Sequence, residues 1–94
     1  MPIFRLDPIE HKRDELDWRA TLITDTCWTR AHDSYEARFN VMGASMRMYE
    51  RESRTLHNPW GEASLTTCAE DNQGIDVPEG VVVTAGGHTF TVPR

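Results

Sequence analysis

The chain is nearly without lysine. Lys12 is the one lysine, and the other nine bases are arginines. Fifteen acids outnumber these ten bases, which gives a formal net charge of -5. A general nucleic-acid binder gains most of its affinity by neutralising phosphates, so this charge balance argues against such a function. Five of the acids fall in residues 55–94, where Arg94 is the one base. These acids are Glu62, Glu70, Asp71, Asp76 and Glu79.

Long apolar runs are also missing. No run approaches the ~18 apolar residues that a membrane-spanning helix needs, and residues 1–18 lack the apolar core of a secretory signal. We therefore expect a cytoplasmic protein with no membrane partner. The two cysteines, Cys27 and Cys68, are then expected to be reduced thiols.

The sequence has no recognisable motif for catalysis or metal binding. Its His and Cys residues show no C-x₂-C, H-x₃-H or H-E-x-x-H spacing, and no G-x-S-x-G segment is present. Cys27 and His32 could pair as nucleophile and base, but the predicted strand and turn place them on opposite faces. We predict no metal, no cofactor and no catalytic residue, and we rank an enzyme last among the functional hypotheses.

Apolar and β-branched segments predict strands near both ends of the chain. In residues 2–6, Phe4 and Leu6 share one face of a strand, and the second half of residues 21–31 is rich in β-branched and aromatic types. Residues 63–70 form a further candidate strand.

Two connecting segments are predicted to lie outside the strands. Residues 9–18 mix charges of both signs and are expected to form a loop or a short helical turn. Residues 56–61 contain Asn-Pro and Gly, which are typical of a loop, and we expect Trp60 to fill an edge of the core from it.

A helix is predicted to begin at Ser34. Asp33 is suited to cap its first turn, and Glu36 stands at the position of a capping-box partner. Four large apolar residues then recur at i, i+4, i+7 and i+11, which predicts one apolar stripe. The stripe consists of Tyr35, Phe39, Met42 and Met46.

The end of this helix decides how the segment RMYERESR, residues 47–54, is interpreted. We expect the helix to end near Gly43 and a new strand to follow, with Met46 and Met48 on one face. The alternative continues the helix to about Arg54. Arg47, Arg51 and Arg54 would then form one line on its solvent side, and neither geometry requires a phosphate ligand.

A hairpin is predicted for residues 81–92 around a two-residue turn at Gly86-Gly87. In that register Thr84 lies opposite Thr89, and Val83 lies opposite Phe90. The apolar face would then collect Val81, Val83, Phe90 and Val92, with His88 partly buried beside it.

The order of features resembles a family of small bacterial proteins of unknown function. The resemblance covers residues 2–71 and rests on PIFRLDPI, the pairs Asp17-Trp18 and Arg30-Ala31, the capped helix with Ala37-Arg38, and Pro59-Trp60 before an acidic segment. It implies no activity. It does imply that the chain leaves the helix at Gly43 and continues in an extended conformation.

These observations predict a single α+β domain over residues 1–94. We expect a mostly antiparallel sheet of four to six strands, one main helix packed on one face, and a C-terminal hairpin. The leading functional hypothesis is a small non-catalytic protein-interaction or accessory protein. It would bind a protein partner or form a homodimer, and a sheet edge from the hairpin or the Met46–Met48 segment would serve this binding.

Two other functions remain open at this point. The five acids could block a basic surface of a nucleic-acid enzyme, or the chain could bind nucleic acid weakly through its arginines. The candidate binding residues across these hypotheses are Trp18, Arg47, Arg51, Arg54 and Trp60.

Overall fold

The computed structural model describes residues 1–46 and 57–93. Within these residues the chain forms a five-stranded antiparallel sheet and one α-helix, which confirms the predicted α+β class. The strands have the spatial order β3-β1-β2-β4-β5. The elements are β1 (Ile3–Pro8), β2 (Cys27–Arg30), α1 (Ser34–Ala44), β3 (Thr66–Glu70), β4 (Val81–Thr84) and β5 (Thr89–Thr91).

The helix begins where its capping residues predict. Asp33 is extended and its side chain accepts a hydrogen bond of 2.8 Å from the backbone N–H of Glu36. The Glu36 carboxylate in turn accepts from the backbone N–H of His32, which lies one residue before the N-cap. Local hydrogen bonding therefore fixes the start of α1.

The helix ends at Ala44, one residue past Gly43. Ser45 caps it, because its backbone N–H and its hydroxyl both donate to the carbonyl of Val41. The prediction of an end near Gly43 is confirmed, and the continuous helix to Arg54 is wrong. Met46 leaves the helix to form an isolated antiparallel bridge with Thr21, while the predicted strand beyond it lies outside the described residues.

One face of the sheet packs against α1 and forms the core. Phe4 and Leu6 of β1 are buried on this face, as the alternation in residues 2–6 predicts. On the helix, Ala37 and Val41 are the buried residues of the side that faces the sheet. The core cluster comprises Phe4, Leu6, Ile23, Cys27, Ala31, Ala37, Val41, Trp60 and Val82.

Trp60 enters this core from a short 3-10 turn, Pro59–Gly61, in the segment predicted to be a loop. Its side chain has no exposed surface, so the prediction that Trp60 fills an edge of the core is confirmed. Two further 3-10 turns, Glu10–Lys12 and Leu16–Ala20, occupy the segment predicted to be a loop or a short helical turn.

The C-terminal hairpin forms, but its predicted register is wrong by one residue. The observed pairs are Val81 with Thr91, Val82 with Phe90, and Val83 with Thr89. Thr84 lies opposite His88, to whose carbonyl its N–H donates. The loop therefore has three residues instead of two.

This shift exchanges the faces of the hairpin. Val82 is buried and Phe90 packs against the core, while Val81 and Val83 are only half-buried. His88 is exposed, so the prediction that it is partly buried is wrong. The physical cause is the turn: Gly87 takes a φ of +84°, the left-handed residue that closes a three-residue hairpin loop.

We expect replacement of Gly87 by alanine to destabilise the fold by about 1–2 kcal/mol, because an alanine side chain is strained at positive φ. Chemical denaturation measures the difference in free energy of unfolding. Gly86→Ala is the matched control. Gly86 does not have a positive φ, and a Cβ there would meet His88 at an ordinary 3.5 Å. Equal losses for the two variants would contradict the three-residue loop.

Candidate functional site

The residues selected from the sequence as binding candidates fall in different environments. Trp60 is fully buried, and Trp18 is half-buried with its ring edge-on to Trp60 at a centroid distance of 5.5 Å. Trp18 also donates from Nε1 to the carbonyl of Lys12. Both indoles therefore serve the core in this structure, while Arg47, Arg51 and Arg54 lie outside the described residues.

The most distinctive surface is the stripe that the sequence predicts on α1. Three of its residues, Tyr35, Phe39 and Met42, lie on α1 and form the apolar flank, while Met46 lies past the end of the helix. Tyr35 is 78%, Phe39 66% and Met46 67% exposed, and Met42 is half-buried. The residues of the stripe that lie on α1 therefore face the solvent and not the sheet.

The helix buries its small side chains instead. Ala37 and Val41 have no exposed surface, and Asn40 on the far side from the apolar flank donates to Thr29 and to the carbonyl of Arg30. With small residues against the sheet, the helix can approach closely. Its large apolar residues are thereby left on the solvent side.

A groove of about 280 Å³ lies at the foot of the apolar flank. It runs between α1 and the 3-10 turn that carries Trp60. Its lining residues are Tyr35, Arg38, Phe39, Met42, His57, Asn58, Gly61 and Glu62. A space of this size accommodates a large side chain of a partner rather than a whole cofactor.

Arg38 joins the groove to the sheet by hydrogen bonds. Its guanidinium donates to the carbonyl of Trp60 at 3.1 Å, to Oγ1 of Thr66 at 2.7 Å and to the carbonyl of Thr66 at 3.0 Å. These hydrogen bonds join α1 to the turn and to β3. The floor of the groove is therefore held to β3 by hydrogen bonds.

Gly61 shapes the other wall of the groove. A Cβ at this position would lie 2.6 Å from Sδ of Met42. Glycine thus lets the thioether of Met42 lie across the turn. Met42 is a flexible, polarisable side chain that adapts well to a partner surface.

A second cleft, of about 290 Å³, lies on the opposite side of α1. Its polar groups bond to one another and to the backbone. Arg30 donates to the carbonyls of Val77 and Met1, and His32 lies 3.1 Å from the Glu36 carboxylate. This cleft has the features of a satisfied surface network and not of a reactive centre.

The two cysteines do not form a reactive pair. Leu6 lies opposite Cys27 on β2 and opposite Cys68 on β3, so the Cα atoms of the two cysteines stand two strands apart, roughly 10 Å. That separation exceeds the span of a disulfide, and both thiols are free. Burial raises the pKa of the Cys27 thiol well above its usual range, and the nearby Asp7 charge adds to this effect.

Burial also raises the pKa of Cys68, although Arg38 partly offsets it. Both thiols are therefore poor nucleophiles at neutral pH. Among residues 1–46 and 57–93, no group of three or more His, Cys, Asp or Glu side chains is placed to hold a metal ion.

The five acids of residues 55–94 do not form one acidic surface. Glu62 lies beside Thr66 at the start of β3, since the N–H of Thr66 donates to its carbonyl. Glu70 ends the same strand, about 13 Å away. Asp71, Asp76 and Glu79 follow Glu70 in the segment that leads to β4, so four acids gather at one end of the sheet and Glu62 at the other.

Comparison with known proteins gives no relatives: no family model, no curated protein and no solved structure matches the chain. The resemblance noted from the sequence therefore stays a prediction. In the described part of the chain, no helix has the length and apolar character needed to cross a membrane.

We expect a maleimide reagent to label Cys68 faster than Cys27 by roughly tenfold or more, because Cys27 is fully buried and Cys68 only partly. Mass spectrometry of the folded protein over time measures the two rates. Cys68→Ser assigns the signals, since its remaining thiol should react only on unfolding. Rapid labelling of that variant would contradict the buried, inert environment of Cys27.

Proposed function

We propose that the chain is a small non-catalytic protein-interaction protein that binds a protein partner through the apolar flank of α1. The observation that carries this proposal is the exposure of Tyr35 and Phe39 on a helix whose buried side consists of Ala37 and Val41. Single exposed apolar residues are ordinary. Several on one stripe beside a groove are typical of an interaction surface.

The free energy available at this surface supports the proposal. Complete burial of one large apolar side chain is worth about 1.5–3 kcal/mol, and aromatic residues are enriched among the residues that dominate binding energy. Tyr35 and Phe39 lie at i and i+4, where side chains of a helix are neighbours. A partner that covers both rings also reaches the groove.

The polar groups around the apolar flank favour binding over chemistry. Arg38 donates three hydrogen bonds to Trp60 and Thr66, so it supports the groove from within the protein. His57 and Glu62 lie at the rim, where they can make polar contacts around an apolar centre. This arrangement resembles that of an interface, in which a polar rim surrounds a water-excluding core.

We expect Phe39→Ser to reduce partner binding by about tenfold or more, because it removes a central aromatic contact. The free energy of unfolding should change by about 0.5 kcal/mol or less, since the ring is 66% exposed. Wild type and variants serve as baits in quantitative pull-downs from host lysate, and self-association is measured in parallel by sedimentation.

Leu22→Ser is the matched control. Leu22 is 55% exposed and lies outside α1, next to Ser45 and Met46 at its C-terminal end, so its loss removes a similar apolar side chain from outside the apolar flank. The proposal requires a partner, foreign or identical, whose binding depends on Phe39 and not on Leu22. Equal recovery of every partner by the two variants would end it.

A further inference from the structure

In the part of the chain that the structure describes, β3 lies at one edge of the sheet. It pairs with β1 on one side and ends the strand order on the other. The N–H of Ile9 donates to the carbonyl of Leu65, and the N–H of Asp71 donates to that of Ile3. Residues that bond to the neighbouring strand alternate along an antiparallel pair with residues that do not. Thr67 and Ala69 therefore also bond to β1. The backbone groups of Thr66, Cys68 and Glu70 point to the open edge.

Part of this edge is already closed. The N–H of Thr66 donates to the carbonyl of Glu62, and its carbonyl accepts from Arg38. Among the described residues, the backbone N–H and C=O groups of Cys68 and Glu70 have no such partner. The strand also lacks proline, lysine or a bulge in residues 66–70, which are the usual protections of an edge against pairing.

The two open residues suit a second copy of the same strand. If two β3 strands pair antiparallel about Ala69, Cys68 of each copy lies opposite Glu70 of the other. Each such pair exchanges two hydrogen bonds, so the two pairs satisfy every open group of both copies. Pairing about Cys68 would instead require Thr66, whose groups are engaged.

The apolar flank lies on the same side of the molecule as this edge. Ser34 and Arg38 of α1 contact β3, through Cys68 Sγ at 3.9 Å and through Thr66. Tyr35, Phe39 and Met42 follow on the next stripe around the helix, away from the core. A two-fold axis at Ala69 therefore places both helices on one face of a continuous sheet, each with its Ser34 and Arg38 side toward the axis and its apolar flank next to that side.

The available area approaches what a dimer needs when the flank and the strand edge are combined. An aromatic side chain carries about 150–250 Å², so the exposed parts of Tyr35 and Phe39 offer on the order of 300 Å² per copy. Two copies supply about 600 Å² before the strand edges are counted, and specific interfaces begin near 1,000 Å² in total. The edge or the flank alone would fall short.

We infer that the partner of the apolar flank is a second copy of this chain, which pairs through β3 about a two-fold axis at Ala69. This inference rests on the proposed function and names its partner. The other edge, β5, has three residues and is followed by Pro93. It offers a shorter template and has no apolar flank beside it.

Disulfide trapping tests the predicted axis. In a Cys68→Ser background, Ala69→Cys places two thiols directly opposite each other, at a Cα separation of about 4.5 Å that permits a disulfide. Mild oxidation should convert most of this variant to a covalent dimer. Thr67→Cys in the same background is the control, since its two copies would lie about 13 Å apart along the strands.

A substitution at the edge tests the hydrogen bonds. Glu70→Pro removes an N–H that points away from β1, a position where an edge strand tolerates proline. It should weaken the dimer by about tenfold or more. Glu70→Thr is the matched control, because it also removes the carboxylate and its bond to Asn72 but keeps the N–H. Sedimentation over a concentration series measures both, with circular dichroism to verify folding.

The outcomes separate this inference from the proposed function. A wild type that stays monomeric, while another protein binds in a manner dependent on Phe39, overturns the inference and leaves the function in place. A dimer that is trapped equally at positions 67 and 69 overturns the two-fold axis at Ala69. Selective trapping at position 69, together with a dimer weakened by Glu70→Pro and by Phe39→Ser, supports both.

Discussion

The buried indole of Trp60 joins parts of the chain that the sheet does not connect. Its Nε1 donates to Oγ1 of Thr21 at 3.2 Å and to the carbonyl of Ile23 at 2.9 Å, in the segment before β2. Its own carbonyl accepts from Arg38 of α1. A buried donor without a partner costs about 1–3 kcal/mol, so these acceptors fix where the ring lies and, with it, where the helix lies.

The position of the helix decides which residues the protein exposes. Trp60, Leu6 and Ile23 are large members of the buried cluster to which α1 contributes its small residues Ala37 and Val41. Tyr35 and Phe39 are then displaced to the solvent. The apolar surface proposed as a binding site is thus a consequence of how the core is filled.

The same contacts also define the neighbouring strand edge. Arg38 bonds to Thr66 as well as to Trp60, and this closes one end of β3. The open groups of Cys68 and Glu70 remain beside the apolar flank, at the other end of the strand. A single cluster of interior hydrogen bonds therefore shapes both the helical and the strand components of the surface.

The sequence by itself determined those features that depend on residues close together in the chain. Asp33 caps a helix through a residue three positions later, and the alternation around Phe4 and Leu6 identifies a strand by itself. The hairpin register was not determined in this way. Val81 to Val83 are apolar on both faces, so their pattern fits either register, and only the closing of the loop at Gly87 selects one.

Tertiary structure alone decided which side of α1 is buried. Two sets of apolar residues recur at helical spacing, the large stripe from Tyr35 to Met46 and the small pair Ala37 and Val41. Apolar periodicity alone predicts that the large stripe is the buried one. The volume of Trp60, which lies sixteen residues past the end of α1 along the chain, favours the smaller pair. The open edge at Cys68 and Glu70 depends likewise on the strand order, which no local segment of this chain specifies.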